Sequence, residues 1–162
     1  ESMHSTRNDL SVKARTKLAA LLNTRLADAL DLQMQAKQAH WNVKGPQFIA
    51  LHELFDKLAA EIDGHVDEMA ERITALGGVA EGTVQAVAGR SKLDPYPLDI
   101  SEGRAHLDAL AAAYARFAKA VRKAIDESDK AGDADTSDLF TGISRSADKG
   151  LWLLEAHLQA DR

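Results

Sequence analysis

Four stretches of this chain repeat their apolar residues every three to four positions, and glycine or proline punctuates the chain mainly between them. That period is the signature of an amphipathic α-helix, and it predicts an all-α fold. The first stretch runs from about Ser11, a residue type suited to an N-cap, to Val43, with Leu18, Leu22, Leu26, Ala29, Leu32 and Ala36 on one face. Gly45-Pro46 breaks it, and Pro46 suits the first turn of a following helix. The second runs from about Gln47 to Leu76 through Phe48, Leu51, Phe55, Leu58, Ile62, Met69, Ile73 and Leu76, and Gly77-Gly78 stops it.

A long connection over 79–100 follows, with Asp94-Pro95-Tyr96-Pro97 inside it and a short helix expected near Thr83 to Ala88. The third stretch spans about Ser101 to Ser128, with Leu107, Leu110, Tyr114, Phe117, Val121 and Ile125 inward. A Gly- and Asp-rich linker over 129–135 precedes the fourth, from about Thr136 to Gln159 through Leu139, Ile143, Leu151, Leu154 and Leu158. Two hairpins joined by a long crossover make a four-helix bundle of ferritin-like connectivity. The expected division is a flexible tail over 1–10, in which Glu1-Ser2 ahead of Met3 reads as a cloning remnant, and a bundle over 11–162.

The chain has 162 residues with 45% apolar composition, enough for one core. It has no cysteine, which rules out disulfides and thiolate metal sites and fits a reducing compartment. No apolar run approaches the roughly 20 residues needed to span a bilayer, and no signal peptide is evident, so a cytoplasmic location is expected. A net charge of −5 gives the folded body no bulk attraction for nucleic acid, while an oligomer would multiply that charge and gather cations.

The polar residues of the second helix are not scattered. With His52 set at 0°, Asp56 falls at about 40°, Asp67 at about 60° and Glu71 at about 100°, beside an apolar stripe centred near −80°. One chain cannot bring them to one ion, because His52 and Glu71 stand about 28 Å apart along a helix axis. Yet the pairs His52/Glu71 and Asp56/Asp67 share a single midpoint, between Glu61 and Ile62. Two copies of this helix crossing antiparallel about a two-fold axis would set His52 opposite Glu71 and Asp56 opposite Asp67, twice over. Ala59, Ala60, Asp63 and Gly64 share that midpoint and are mostly small enough for close approach. His40 and His52 are equally spaced from the hairpin pivot near Pro46, so His40 should lie beside His52. The expected ligand shell is His40, His52 and Asp56 of one chain with Asp67 and Glu71 of another. Two imidazoles and three carboxylates suit iron, zinc or manganese better than Cu(I) or calcium.

Each residue also has a plainer reading. A lone histidine beside an apolar face is commonly a core or capping group, and Asp or Glu on a long helix is commonly a solvated or i,i+4-paired residue. Lys57 could pair with Glu53 or Glu61, and Arg72 with Glu68. The shared arc, the shared midpoint and the matching His40 favour the site jointly. Among the other histidines, His65 reads as a packing or hydrogen-bonding residue, His4 as part of the tail, and His106 and His157 as surface or interface groups. Trp152 reads as core.

At these residues the chain resembles the Dps family (DNA-binding proteins from starved cells), also called mini-ferritins. The likeness runs from about Thr6 to Gln159 and rests chiefly on Lys37-Gln-Ala-His-Trp-Asn-Val-Lys-Gly45 and Phe48-Ile-Ala-Leu-His-Glu-Leu-Phe-Asp56. His65-Val-Asp-Glu-Met-Ala-Glu-Arg72, Leu76-Gly-Gly and Asp148-Lys-Gly-Leu-Trp152 extend it. No Glu-x-x-His occurs, so the intrasubunit di-iron centre of larger ferritins has no ligand set here. The resemblance implies a hollow homododecamer with dinuclear-type ferroxidase centres at two-fold interfaces, whose ligands fall on His40, His52, Asp56, Asp67 and Glu71. It implies oxidation of Fe(II), preferentially by hydrogen peroxide, storage of a ferric mineral and protection of DNA; the donor set itself also admits zinc as a substitute metal. Trp41 would stand near the iron. Iron-entry pores of relatives match Asp138 best, with Asp135 and Asp133 also reading as solvated linker residues.

DNA binding is where the chain departs from the best-known pattern, a Lys-rich tail that neutralises phosphates. Here the tail region offers Arg7, Lys13, Arg15 and Lys17, a weakly basic set whose strength would come from twelve copies acting together. Two other readings stand beside the ferroxidase: a structural DNA-compacting nucleoid protein with little ferroxidase activity, and a plain helical interaction module.

Overall fold

A computed structural model of the chain describes residues 3–160. Glu1 and Ser2, expected as a cloning remnant, and the last two residues of the expected bundle lie outside the described residues. Helices α1 (Val12–Asn42), α2 (Phe48–Ala75), α3 (Val84–Arg90), α4 (Gly103–Lys130) and α5 (Ala134–Glu155) follow one another. α1 packs chiefly on α2 and α4 on α5; α1 also meets α4, and the short α3 lies against α1. The result is the expected bundle of two hairpins with a crossover. No helix among the described residues is long and apolar enough to cross a membrane.

Local chemistry sets the element ends. Ser11 caps α1 through a hydrogen bond to its side chain from Ala14 N–H at 3.1 Å, the N-cap the sequence predicts. The chain leaves α1 when Lys44 N–H turns to the Ser101 carbonyl, 2.8 Å away, instead of to His40. α2 closes with Gly78 N–H donating to Ile73, and Gly77 takes φ +89° there. A Cβ on Gly77 would also stand 2.7 Å from the His4 carbonyl oxygen, so glycine is required twice over. The crossover is tied to α1 by Asp28, which accepts Lys92 N–H at 2.8 Å, and by Asp31, which accepts the Ser91 hydroxyl at 2.6 Å.

The expected linker over 129–135 contracts to 131–133, because α4 runs on to Lys130 and Asp133 caps α5. α5 in turn ends at Glu155 rather than near Gln159. The expected stripes are buried, led by Leu18, Leu22, Leu26, Leu32, Phe55, Leu58, Met69, Ile73 and Leu110, and Phe140, outside the expected stripe of the last helix, joins them. Burial of this kind stabilises by about 25 cal/mol per Å² of apolar surface, which makes the stripes the main source of stability. Ile125, Leu139, Leu151 and Leu158 pack only at the core's margin, while Phe48 is 37% exposed and stacks on His52 with ring centroids 5.0 Å apart.

Two expectations about large residues are corrected. Trp152 is 58% exposed rather than core, because it stands on the outer face of α5. His106 is 1% exposed rather than superficial: its ring stacks on Tyr96 and its Nδ1 lies 2.6 Å from the Tyr96 hydroxyl. His157 is at the surface as expected, and His65 is half-buried beside Glu68.

Candidate metal centre

The last turns of α1 and the first turns of α2 run side by side, and His40 and His52 meet there. Their imidazoles stack with centroids 3.7 Å apart and planes 15° from parallel. His40 Nδ1 lies 2.6 Å from the His52 carbonyl oxygen, and His52 Nδ1 lies 2.7 Å from the His40 carbonyl oxygen. A carbonyl can only accept, so both Nδ1 atoms carry the proton and both Nε2 atoms keep a free lone pair. The His40 carbonyl is available because Lys44, its usual helical donor, bonds Ser101 instead. Second-sphere bonds of this kind orient imidazoles for a metal.

Asp56, one turn beyond His52, lies beside the two rings. Its Oδ1 stands 3.9 Å from His40 Nε2, too far for a hydrogen bond, and an ion bonded to both atoms at about 2.0–2.2 Å can bridge that gap. The same Oδ1 accepts Lys37 Nζ at 2.6 Å. That hydrogen bond is the chief reason the Asp56 carboxyl is held below the ordinary carboxylate range. Sequence reasoning missed Lys37. The available signal was its position one turn before His40, which the hairpin geometry sets against residues 55 and 56.

Asp67 and Glu71 lie four to five turns further along α2, at the opposite end, as the helical rise requires. Both carboxylates are exposed and make no ion pair among the described residues. Accordingly, no group of three or more His, Asp or Glu side chains able to hold an ion forms within one chain among the described residues. Between the two half-sites, Ala60, Asp63 and Gly64 face outward, and a Cβ on Gly64 would meet nothing within 4 Å. Ala59, expected on that outward face, is instead buried in the chain's own core. Trp41 beside His40 is 63% exposed on the same end of the bundle.

Three further expectations change. Arg72 pairs with Asp133 at 2.8 Å, not with Glu68. Asp133 is thereby withdrawn from the expected pore set: its buried carboxylate accepts Asp135 N–H, the Thr136 hydroxyl and the Arg72 guanidinium. Asp135 and Asp138 remain exposed, and they share an open groove of about 510 Å³ with Glu68 and Glu71. Arg15 leaves the DNA-contact set for a similar reason. It is 5% exposed, with Nε donating to the Leu10 carbonyl at 3.2 Å and Nη1 to the Leu76 carbonyl at 2.9 Å. The residues before it are tied down as well: His4 N–H donates to Gly77 at 2.7 Å, and Met3 and Leu10 pack on the core. Arg7, Lys13 and Lys17 are exposed.

Residues 19–162 match the profile of the ferritin-like domain family. The DNA protection during starvation protein of Agrobacterium fabrum is 52% identical over 156 residues, covering 96% of each chain. Among solved structures, DpsC from Streptomyces coelicolor superposes with a TM-score of 0.95 at 29% identity, covering 99% of this chain and 94% of that one. A Vibrio cholerae Dps protein, described as a member of a broad superfamily of ferritin-like diiron-carboxylate proteins, superposes with a TM-score of 0.90 at 26% identity over 98% and 99% of the two chains. With a ferritin-like bundle, a stacked histidine pair at the hairpin and these relatives, the chain belongs to the Dps family of ferritin-like proteins.

Proposed function

We propose that the chain is a ferroxidase whose active sites form between two subunits, with His40, His52 and Asp56 from one and Asp67 and Glu71 from the other. The observation that carries this reading is the reciprocal His40–His52 hydrogen bonding, which leaves two Nε2 lone pairs uncommitted at the protein surface. The open stretch of α2 between the half-sites supports antiparallel pairing of two copies.

Fe(II) is the substrate. Two ferrous ions each give up one electron, and hydrogen peroxide takes both with two protons and leaves as two waters. The ferric product is stored as mineral inside a hollow homododecamer, and Asp135 and Asp138 serve the iron entry. Because ferrous ion and peroxide are consumed together, no hydroxyl radical is released, and DNA is protected; the name of the Agrobacterium relative supports that outcome. Direct DNA contact falls to Arg7, Lys13 and Lys17.

The test is anaerobic Fe(II) with added peroxide, followed by ferric absorbance. The wild-type protein should oxidise rapidly, and His52→Ala or Glu71→Ala should abolish the fast phase while the oligomer persists. Slow, mutation-insensitive oxidation would sink the proposal. It would favour a DNA-compacting protein with little ferroxidase activity.

A further inference from the structure

Lys37 stands against the proposed ligand set without belonging to it. Its ammonium is 2.6 Å from Asp56 Oδ1, the same oxygen that stands 3.9 Å from the free Nε2 of His40. Both partners are substantially exposed, 37% for the lysine side chain and 51% for the aspartate. A pair so exposed adds little to stability, so the fold does not depend on it. Lys37 makes no other ion pair among the described residues. What the pair does is place a fixed positive charge on the oxygen that an arriving cation needs.

Resting on the ferroxidase reading, we propose that Lys37 is a resident counter-cation: its ammonium holds Asp56 Oδ1 in the metal-free site, and a ferrous ion must displace it to bind. Two consequences follow from charge alone. In the empty site, Lys37 offsets one of three carboxylates that pairing brings together, which eases assembly without metal. In the loaded site, the displaced ammonium still repels the ion, so Lys37 lowers metal affinity and favours reversible loading. It acts through Asp56 and is a positioning residue.

Redox-inert Co(II) is the probe, titrated anaerobically into the assembled protein and read by its visible absorption and by thermal melting. Removing a unit charge about 5 Å from a divalent ion should tighten Co(II) binding by about tenfold at the dielectric of water. Lys37→Gln and Lys37→Met should both bind Co(II) more tightly, melt lower without metal, and regain more on Co(II) addition than the wild type does. Lys37→Arg, which keeps the charge, should stay near wild-type affinity. In Fe(II) oxidation the half-saturating iron concentration should fall while the maximal rate changes little. A purely structural pair would lower the melting point in both neutral variants and leave Co(II) affinity unchanged or weaker, and that result overturns the inference. Failure of the ferroxidase reading looks different: Co(II) would then bind wild type and His52→Ala alike.

Discussion

His40 and His52 hold each other by their backbones, each imidazole donating its Nδ1 proton to the other's carbonyl at 2.6 and 2.7 Å. The exchange spans twelve residues and the hairpin turn, so it locks α1 to α2 at the same time as it fixes two tautomers. Flipping either ring would break the bond that ring donates, so each ring is pre-oriented before any ion arrives. In metal-free protein, ¹⁵N spectra of the neutral rings should show both as Nδ1–H tautomers. A spectrum dominated by Nε2–H at either residue would remove the free lone pair on which the site depends.

Asp133 gives the fold a dependence on pH. Burial opposes its ionisation, but the hydrogen bonds from Thr136 and Arg72 outweigh burial and hold its carboxyl below the ordinary range. A folded-state pKa below the unfolded one means that the contribution is complete above about pH 4 and is lost as pH falls through the folded value. Asp133→Ala removes the α5 cap and leaves Arg72 without its partner, at a cost of about 2–4 kcal/mol near neutral pH. Melting curves of wild type and variant should therefore converge toward acid pH. A gap that stays constant down to pH 3 would assign the loss to packing instead.

Arg15 and its neighbours on α1 should separate stability from nucleic-acid contact. Arg15→Ala strands the Leu10 and Leu76 carbonyls and should cost about 2–3 kcal/mol in thermal or denaturant unfolding, with little change in any DNA affinity. Lys13→Ala with Lys17→Ala should do the opposite, weakening DNA retention in low-salt gel shifts and flattening its salt dependence. Equal effects of both sets on DNA would put Arg15 back among the contacts.

What the sequence made legible divides along a physical line. Helix period, breakers and caps are local, so α1 and α2 appear within a residue or two of their predicted limits, and the rigid rise of two helices about a tight turn is enough to set His40 beside His52. Contacts between polar residues distant in sequence carry no period. Arg15 with Leu76 and Arg72 with Asp133 each span 61 residues, and their ends read locally as a basic tail, an i,i+4 pair and a linker aspartate. The same limit hid His106 behind Tyr96. Trp152 shows the converse error, since a large aromatic suggests burial and only the orientation of α5 reveals that it faces out.

The assembly of the site from two chains yields a quantitative test. If His52 of one subunit serves the same site as Glu71 of the other, a mixed dimer of His52→Ala and Glu71→Ala subunits has one doubly damaged site and one intact site. Random exchange at equal concentrations makes half the dimers mixed, so about a quarter of all sites should be whole and about a quarter of wild-type ferroxidase activity should return. Each variant alone has none. Native mass spectrometry would establish that subunits have exchanged, and the activity of the exchanged sample is then compared with the unmixed controls. Recovery near a quarter requires the ligands to come from different chains, because sites confined to one chain would stay damaged in every combination. Proven exchange with no recovery would return His52 and Glu71 to separate roles at the two ends of α2, about 28 Å apart.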